Sequence, residues 1–312
     1  MATYWRGWNR FKHLEIIPGG SIQGLEGHMG MGGGKTFYVN GGSDGLTNNN
    51  GNGLTPKTAK QTIAAAMDLC TSGNDDTIFV LNYGGNARAV ETFPIAVDVD
   101  MVHIIGIGGG ANTASKWATV NPLTTDTNAG AFLVTGQRCE IAGLEIGGDA
   151  DGTGYGIKIS NGVWGTWIHD CFFGIADCAG TNGILVSAGA DAPFLRVENC
   201  EFGDQLLGAA ILIAGNATKG SILHNKFFKI PTAAINITGS AVGIKIIDNR
   251  IQMDADSSGH GVNLAAGTAG CFIDGNSAAS QKTATTANYA WIDASSSNAW
   301  GNNYSGIVAD LP

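Results

Sequence analysis

The sequence predicts an all-β, right-handed parallel β-helix with an N-terminal capping helix and an extended N-terminal arm. Three observations predict it. First, a turn tripeptide recurs: Ile141-Ala142-Gly143, Ile168-His169-Asp170, Val197-Glu198-Asn199, Leu223-His224-Asn225, Ile247-Asp248-Asn249, Ile273-Asp274-Gly275 and Trp300-Gly301-Asn302 fit one frame. Its third positions step by 27, 29, 26, 24, 26 and 27 residues, a period that marks a repeat architecture. Second, each repeat carries one apolar-x-apolar trio: Phe132-Leu133-Val134, Ile157-Lys158-Ile159, Ile184-Leu185-Val186, Ile211-Leu212-Ile213, Ile235-Asn236-Ile237 and Val262-Asn263-Leu264. Third, the 48 glycines are about twice the usual share while prolines number only 7, which suits a chain with many tight corners.

Residues 1–35 come first and show no helix or strand period. They hold Trp5, Trp8, Phe11, Ile16 and Ile17, then a Gly- and Met-rich run. Aromatic groups are costly to leave in water, so the segment reads as an anchoring arm that docks those five residues on another chain. Residues 36–76 form a strand and a cap. The strand is Thr36-Phe37-Tyr38-Val39. After a turn-rich loop, Thr55 as N-cap and Pro56 at the first helical position open a helix running to about Leu69. Ile63, Met67 and Cys70 share its apolar face, and the helix is expected to plug the open end of the solenoid.

Residues 77–312 form the coils. Alternation turns the outer two residues of each trio inward and the middle one outward. One coil of this length cannot bury its inward face alone. Stacking coils ~4.8 Å apart does so, because each strand then pairs in parallel with its equivalents above and below. The bias of parallel crossovers sets the right hand. Asp, Asn and Gly at the third tripeptide position fit a left-handed corner, with Asp170, Asn199, Asn225 and Asn249 stacked as a hydrogen-bonded ladder. The polar, Ala-rich stretch Ala279–Tyr289 leaves the last rung to lean on a partner or fray.

Several classes are disfavoured. A net charge of −9 without a basic stripe argues against a nucleic-acid partner. No run approaches the ~20 apolar residues of a membrane span. Met1 to His13 lacks the apolar core and cleavage site of a secretory signal. Six cysteines without a CxxC pair argue against zinc and thioredoxin-like sites. Cys171 and Cys200, at equivalent positions, read as reduced, buried thiols. Met29 stands where a phosphate loop ending at Lys35-Thr36 requires glycine, and Gly106–Gly110 reads as a β-helix corner. No metal and no cofactor is expected.

Thr36-Phe37-Tyr38-Val39-Asn40-Gly41-Gly42-Ser43-Asp44-Gly45, then Gly53-Leu54-Thr55-Pro56, Gln61-Thr62-Ile63 and Asp76-Thr77-Ile78-Phe79-Val80 resemble the opening module of the pectate-lyase-like β-helix superfamily. In that module a YV strand, an NDGLSP-type loop, a KTI helix and a GDTI strand precede the first full turn. Here Asn74-Asp75-Asp76 replaces the usual Gly-Asp. The wording is most similar to tailed-bacteriophage virion structural proteins built on this fold. The resemblance spans about residues 36–275. It implies the fold and suggests a virion setting with three-fold self-association.

Two outward columns are candidate sites. His169, Glu198, His224, Asp248 and Asp274 hold the second tripeptide position, ~5 Å apart from rung to rung. Such a stripe offers acid/base pairs, glycoside hydrolysis by Glu198 with Asp248 or Asp274, or a metal site from His169, Glu198 and His224. Alternating acids and imidazoles also relieve repulsion on a solvated face, and the sequence favours that reading. The superfamily's calcium-binding acids and catalytic base are not recognisable in register, since Arg196 and Arg250 are not equivalent. The middle strand position holds Leu133, Leu185 and Leu212, an apolar stripe expected to be an oligomer interface, with a closed homotrimer as its natural form. Trp164 and Trp167 are glycan-stacking candidates. The sequence therefore favours a non-enzymatic structural subunit of a phage virion, capsid-decorating or tail-associated, made in the host cytoplasm and bound to capsid or tail proteins through its arm. A tailspike-like depolymerase or polysaccharide lyase is the alternative, and a cell-surface glycan adhesin the second.

Overall fold

Strands of two to six residues are too short to hold a core singly. This chain gains a core by winding them into coils and stacking the coils. The computed structural model describes residues 34–41, 51–82, 90–107, 118–120, 130–147, 154–174, 181–253, 259–280, 290–295 and 297–307. The anchoring candidates Trp5, Trp8, Phe11, Ile16 and Ile17 lie outside them.

Successive coils feed three parallel sheets. The first has eight strands: Ile95–Val97, Phe132–Val134, Tyr155–Ile159, Asn182–Val186, Ile211–Ile213, Ala233–Ile237, His260–Leu264 and Trp291–Asp293. The second has ten: Thr36–Asn40, Thr77–Asn82, His103–Gly106, Glu140–Ala142, Trp167–His169, Arg196–Glu198, Ser221–Leu223, Lys245–Ile247, Phe272–Asp274 and Ala299–Trp300. The third has eight: Ala118–Val120, Leu144–Ile146, Phe172–Phe173, Glu201–Phe202, Lys226–Ile230, Arg250–Met253, Ser277–Ser280 and Tyr304–Ile307. The winding is the right-handed parallel β-helix that the repeat predicts.

Register follows the alternation. Phe132, Ile157, Ile184, Ile211, Ile235 and Val262 are successive partners and fully buried. In the second sheet Ile141, Ile168, Val197, Ile222, Ile246 and Ile273 form the matching inner column. In the third, the rings of Phe173, Phe202 and Phe227 stack with centroids 4.8 Å apart, nearly parallel at 7° and 6°. That distance is the rung spacing itself, so one aromatic per coil continues the stack without distorting the backbone. Trp291 and Trp300 take inner positions in the last rung, half-buried against the core.

The cap is smaller than the sequence pattern suggests. One helix from residue 56 to 69 is expected; a 3-10 turn at Pro56–Thr58 and a helix at Ile63–Met67 are found. The break has a cause. The Lys60 amide donates to the Tyr38 carbonyl and its carbonyl accepts from the Asn40 amide, so Lys60 is a strand partner and not a helical residue. A second cap, Thr62, then accepts from the Ala65 amide, and the Glu91 carboxylate takes the Ile63 and Ala64 amides. Ile63, Ala66 and Met67 are buried over the first coils.

Both corners flanking the second sheet are left-handed. Asp75, Met101, Arg138, Gly165, Phe194, Lys219, Gly243 and Gly270, each two residues before a strand, have φ between 54° and 76°. Gly143, Asp170, Asn199, His224, Asp248 and Gly275, each just after a strand, have φ between 52° and 66°. The second column corrects the sequence frame at two turns: the left-handed residues are His224 and Asp248, not Asn225 and Asn249. The ladder consequently lies one residue on. The buried amides of Asn225, Asn249 and Asn276 donate in turn to Asn249 Oδ1, Asn276 Oδ1 and Asn303 Oδ1, at 3.0, 2.9 and 2.8 Å. Asp170 and Asn199 stand at the left-handed corner and not in the ladder. Above it, Cys171 and Cys200 occupy the ladder positions as buried free thiols, and the Cys200 amide donates to Asn225 Oδ1 at 2.9 Å. Among the described residues no helix is long and apolar enough to cross a membrane.

Candidate functional site

The true register sorts the predicted stripe. The outer column at the end of each second-sheet strand runs Ala142, His169, Glu198, Leu223, Ile247, Asp274. His169 and Glu198 are therefore neighbours. Glu198 and Asp274 are three rungs apart, ~14 Å, too far for a pair of carboxylates to flank one glycosidic bond. His224 and Asp248 leave the column for adjacent corner positions, where both are exposed and His224 Nε2 lies 3.5 Å from Asp248 Oδ2.

What the strands do bring together is a chain of acids and imidazoles in which His169 is the one member of the predicted stripe, joined by Asp75, His103, Glu140 and Asp170. At the start of each strand, His103, Glu140, Trp167 and Arg196 are successive partners. Glu140 is only 7% exposed. One of its oxygens takes His103 Nδ1, and the other takes His169 Nε2 at 2.7 Å. The second nitrogen of His169 meets Asp170 Oδ2 at 2.7 Å. His103 Nε2 finds no hydrogen-bond partner among the described residues, with Asp75 Oδ1 3.7 Å away. Burial alone would raise the Glu140 carboxyl, but the hydrogen bonds and charges of His103 and His169 outweigh it and hold it at about 2. Burial likewise disfavours the His169 cation, yet Glu140 and Asp170 raise its pKa above 6.5.

The neighbouring groups are committed as well. Trp167 stacks on His169 with centroids 4.0 Å apart, and the Arg196 guanidinium sits 4.6 Å over the indole. Glu198 accepts the Trp167 indole N–H at 3.2 Å and two bonds from Arg196 Nη2 at 2.9 and 3.0 Å. A carboxyl held near 2 is a weak base at neutral pH, and both nitrogens of His169 are occupied. Among the described residues no three His, Cys, Asp or Glu side chains are arranged to hold a metal. His103 and Glu140 did leave a sequence signal: each directly precedes an inward isoleucine, Ile104 and Ile141.

The other predicted residues fall on separate faces. Leu133, Lys158, Leu185, Leu212, Asn236, Asn263 and Ile292 form one outward, half-buried column of the first sheet. Trp164 is 37% exposed on a corner, with the Arg138 guanidinium 4.1 Å over its ring; Trp167 lies on the second sheet's outer face, so neither indole is in the core. Burial pushes the Cys139 thiol up to about 12 and raises Cys200 well above its ordinary value, which leaves both unreactive.

A cleft of about 550 Å³ opens on the third sheet, lined by Phe172, Gly203, Lys226, Phe228, Arg250 and Gln252 among others. The sequence pattern did not single it out.

No protein-family model matches the sequence, and no curated protein matches it. Among solved structures the chain is similar to one described as a rhamnogalacturonan lyase, at 12% identity and a TM-score of 0.37. The likeness covers 89% of this chain and 64% of that one, so this chain spans less than two thirds of that structure's length.

Proposed function

We propose that the chain is a non-enzymatic structural subunit of a phage virion, decorating a capsid or associated with a tail, that assembles with copies of itself. One observation carries the reading. The first sheet's outward column sets Leu185 directly against Leu212, with Leu133 on the same face, where solvent alone would favour polar groups. A straight solenoid closes into a trimer when each copy offers such a face to the next. The acids and imidazoles of the second sheet support it too, because among the described residues Glu140, His103, His169 and Asp170 bond to one another. The aromatic sequence of residues 1–35 supplies an attachment to capsid or tail proteins, and the likeness of the opening module to virion proteins favours that setting.

Light scattering on the full chain tests the assembly. The expected mass is three times the 32.1 kDa chain. Leu185→Lys with Leu212→Lys should reduce it to one chain mass without loss of the β-sheet spectrum. A monomeric wild type overturns self-association, and absence of the chain from purified particles of the phage that encodes it overturns the virion role. Polysaccharide cleavage abolished by Glu198→Gln would replace the structural reading with an enzymatic one. Trp164, exposed at its corner, favours the adhesin as second reading; glycan-array binding lost in Trp164→Ala would establish it.

A further inference from the structure

The cleft on the third sheet has features that stacking alone does not require. Its outward column runs Phe172, Glu201, Lys226, Arg250, Ser277 on successive rungs. At the third of these rungs the strand is bulged. Phe227 pairs with Ile251 and Ile230 with Met253, so Phe228 and Lys229 together oppose the single residue Gln252. The extra residue is absorbed by a left-handed backbone at Lys229, φ 50°, a conformation that a lysine adopts at a cost. Alternation after the inward Phe227 sets Phe228 outward at the cleft, where it is 48% exposed, and the extra residue returns Ile230 to the inner face. Phe172 lines the same cleft with a second aromatic ring, and Gly203 beside it lies against Gly174 and that ring, where a Cβ would crowd both.

The charges narrow the ligand. Glu201 and Asp204 stand against Lys226 and Arg250 in the lining, two acids and two bases. Lys226 Nζ is already on Glu201 Oε1 at 2.5 Å. Arg250 has no ion pair among the described residues and is exposed. Lys229 Nζ sits 5.3 Å over the Phe228 ring, outside the lining, so the unspent cation within the lining is the Arg250 guanidinium. It matches one carboxylate in bidentate geometry, while a dianion would also face the two acids. Aromatic faces take a ring, and the Gln252 amide supplies both a donor and an acceptor beside it. The volume falls in the range of small-ligand sites.

We propose that this cleft binds a small ring-bearing carboxylate, the ring packed on Phe172 and Phe228 and the carboxylate on Arg250. The site is independent of the self-assembly face, which lies on another sheet. Titration of the full-length chain with glucuronate and benzoate, followed by NMR or calorimetry, tests it, with glucose and benzyl alcohol as uncharged counterparts. At least one acid should bind ten-fold or more tightly than its uncharged counterpart. Arg250→Gln should erase that difference, Arg250→Lys should retain part of it, and Phe228→Ala should weaken the acid about five-fold. All three replace exposed side chains, and unchanged thermal melting confirms that the fold persists. Response to glucuronate alone identifies a sugar acid, and to benzoate alone an arene acid. Equal binding of acid and uncharged probe, binding that survives Arg250→Gln, or no binding of any probe overturns the proposal.

Discussion

Two polar chains run down this solenoid, and they hold in different ways. One is the buried amide ladder from Asn225 to Asn303. The other is the series Asp75, His103, Glu140, His169 and Asp170 on the second sheet's outer face. In both, a polar side chain is tolerated because the backbone fixes its partners, one rung away in the ladder and one rung or one residue away in the outer series. The ladder is neutral and buried from Asn225 to Asn276, so there every donor and acceptor must be matched. The outer series is ionic and half-open, so it holds through charge and changes with pH. Inside a parallel solenoid, uncharged amides are the polar groups that can repeat, because each Asn gives and receives along the stacking direction. Charges must alternate, and that confines them to short runs such as acid, imidazole, acid.

The largest test makes the ladder behave like the outer series. Asn249 Nδ2 donates to the Ile222 carbonyl and to Asn276 Oδ1, and its Oδ1 accepts from Asn225. Asn249→Asp places an acceptor where two acceptors already point. It should cost about 3–5 kcal/mol at pH 7 in denaturant unfolding, with the loss shrinking as acid protonates the group. Asn249→Ala should cost about 2–3 kcal/mol at every pH, since it leaves buried groups unsatisfied without adding charge. Equal pH profiles for the two variants would break the distinction.

Removing the charge from the outer series should have a smaller effect, one that peaks at intermediate pH and falls on both sides. Glu140 in the fold lies near 2, below its ordinary 4.5, so its contribution is whole above pH 4.5 and lost as pH falls toward 2. His169 is raised above 6.5, so its contribution is whole below 6.5 and lost as pH rises through the folded value. Wild type should therefore exceed Glu140→Gln most between pH 4.5 and 6.5, by about 2–3 kcal/mol. A gap that stays constant from pH 3 to 8 on the same unfolding curves would contradict the ionic account.

The smallest effect concerns the exposed end of the same face. Arg196 is 48% exposed while it holds Glu198, and Arg196→Ala should cost less than about 1 kcal/mol, fading in high salt. A larger loss would mean that the cation over Trp167 matters more than its ion pair.

Legibility in the sequence tracked how strictly each position alternates. First-sheet trios such as Ile184-Leu185-Val186 were readable to the residue, because both outer positions are apolar and buried. Second-sheet frames slipped by one at two turns because Leu223 and Ile247 are apolar yet face outward. Leu223-His224-Asn225 then imitates Ile222-Leu223-His224, and coil lengths vary enough to hide the shift. Left-handed corners at Met101, Arg138, Phe194 and Lys219 could not be read from residue type, since these are not the residues that favour that backbone. Lys60 looked helical because nothing local announces its bridge to residues 38 and 40. Glu140 precedes the inward Ile141, yet its role shows only once His103 and His169 are placed one rung away on either side.

The register of the second sheet is the claim on which the site assignments rest, and paired cysteines test it directly. In-register parallel neighbours lie ~4.8 Å apart, within the Cα range of a disulfide. Glu198→Cys combined with Leu223→Cys should oxidise to an intramolecular bond found by peptide mapping, whereas Glu198→Cys combined with His224→Cys should not. Crosslinking of the His224 pair and not the Leu223 pair would restore the single catalytic-looking stripe and contradict the stacking described above.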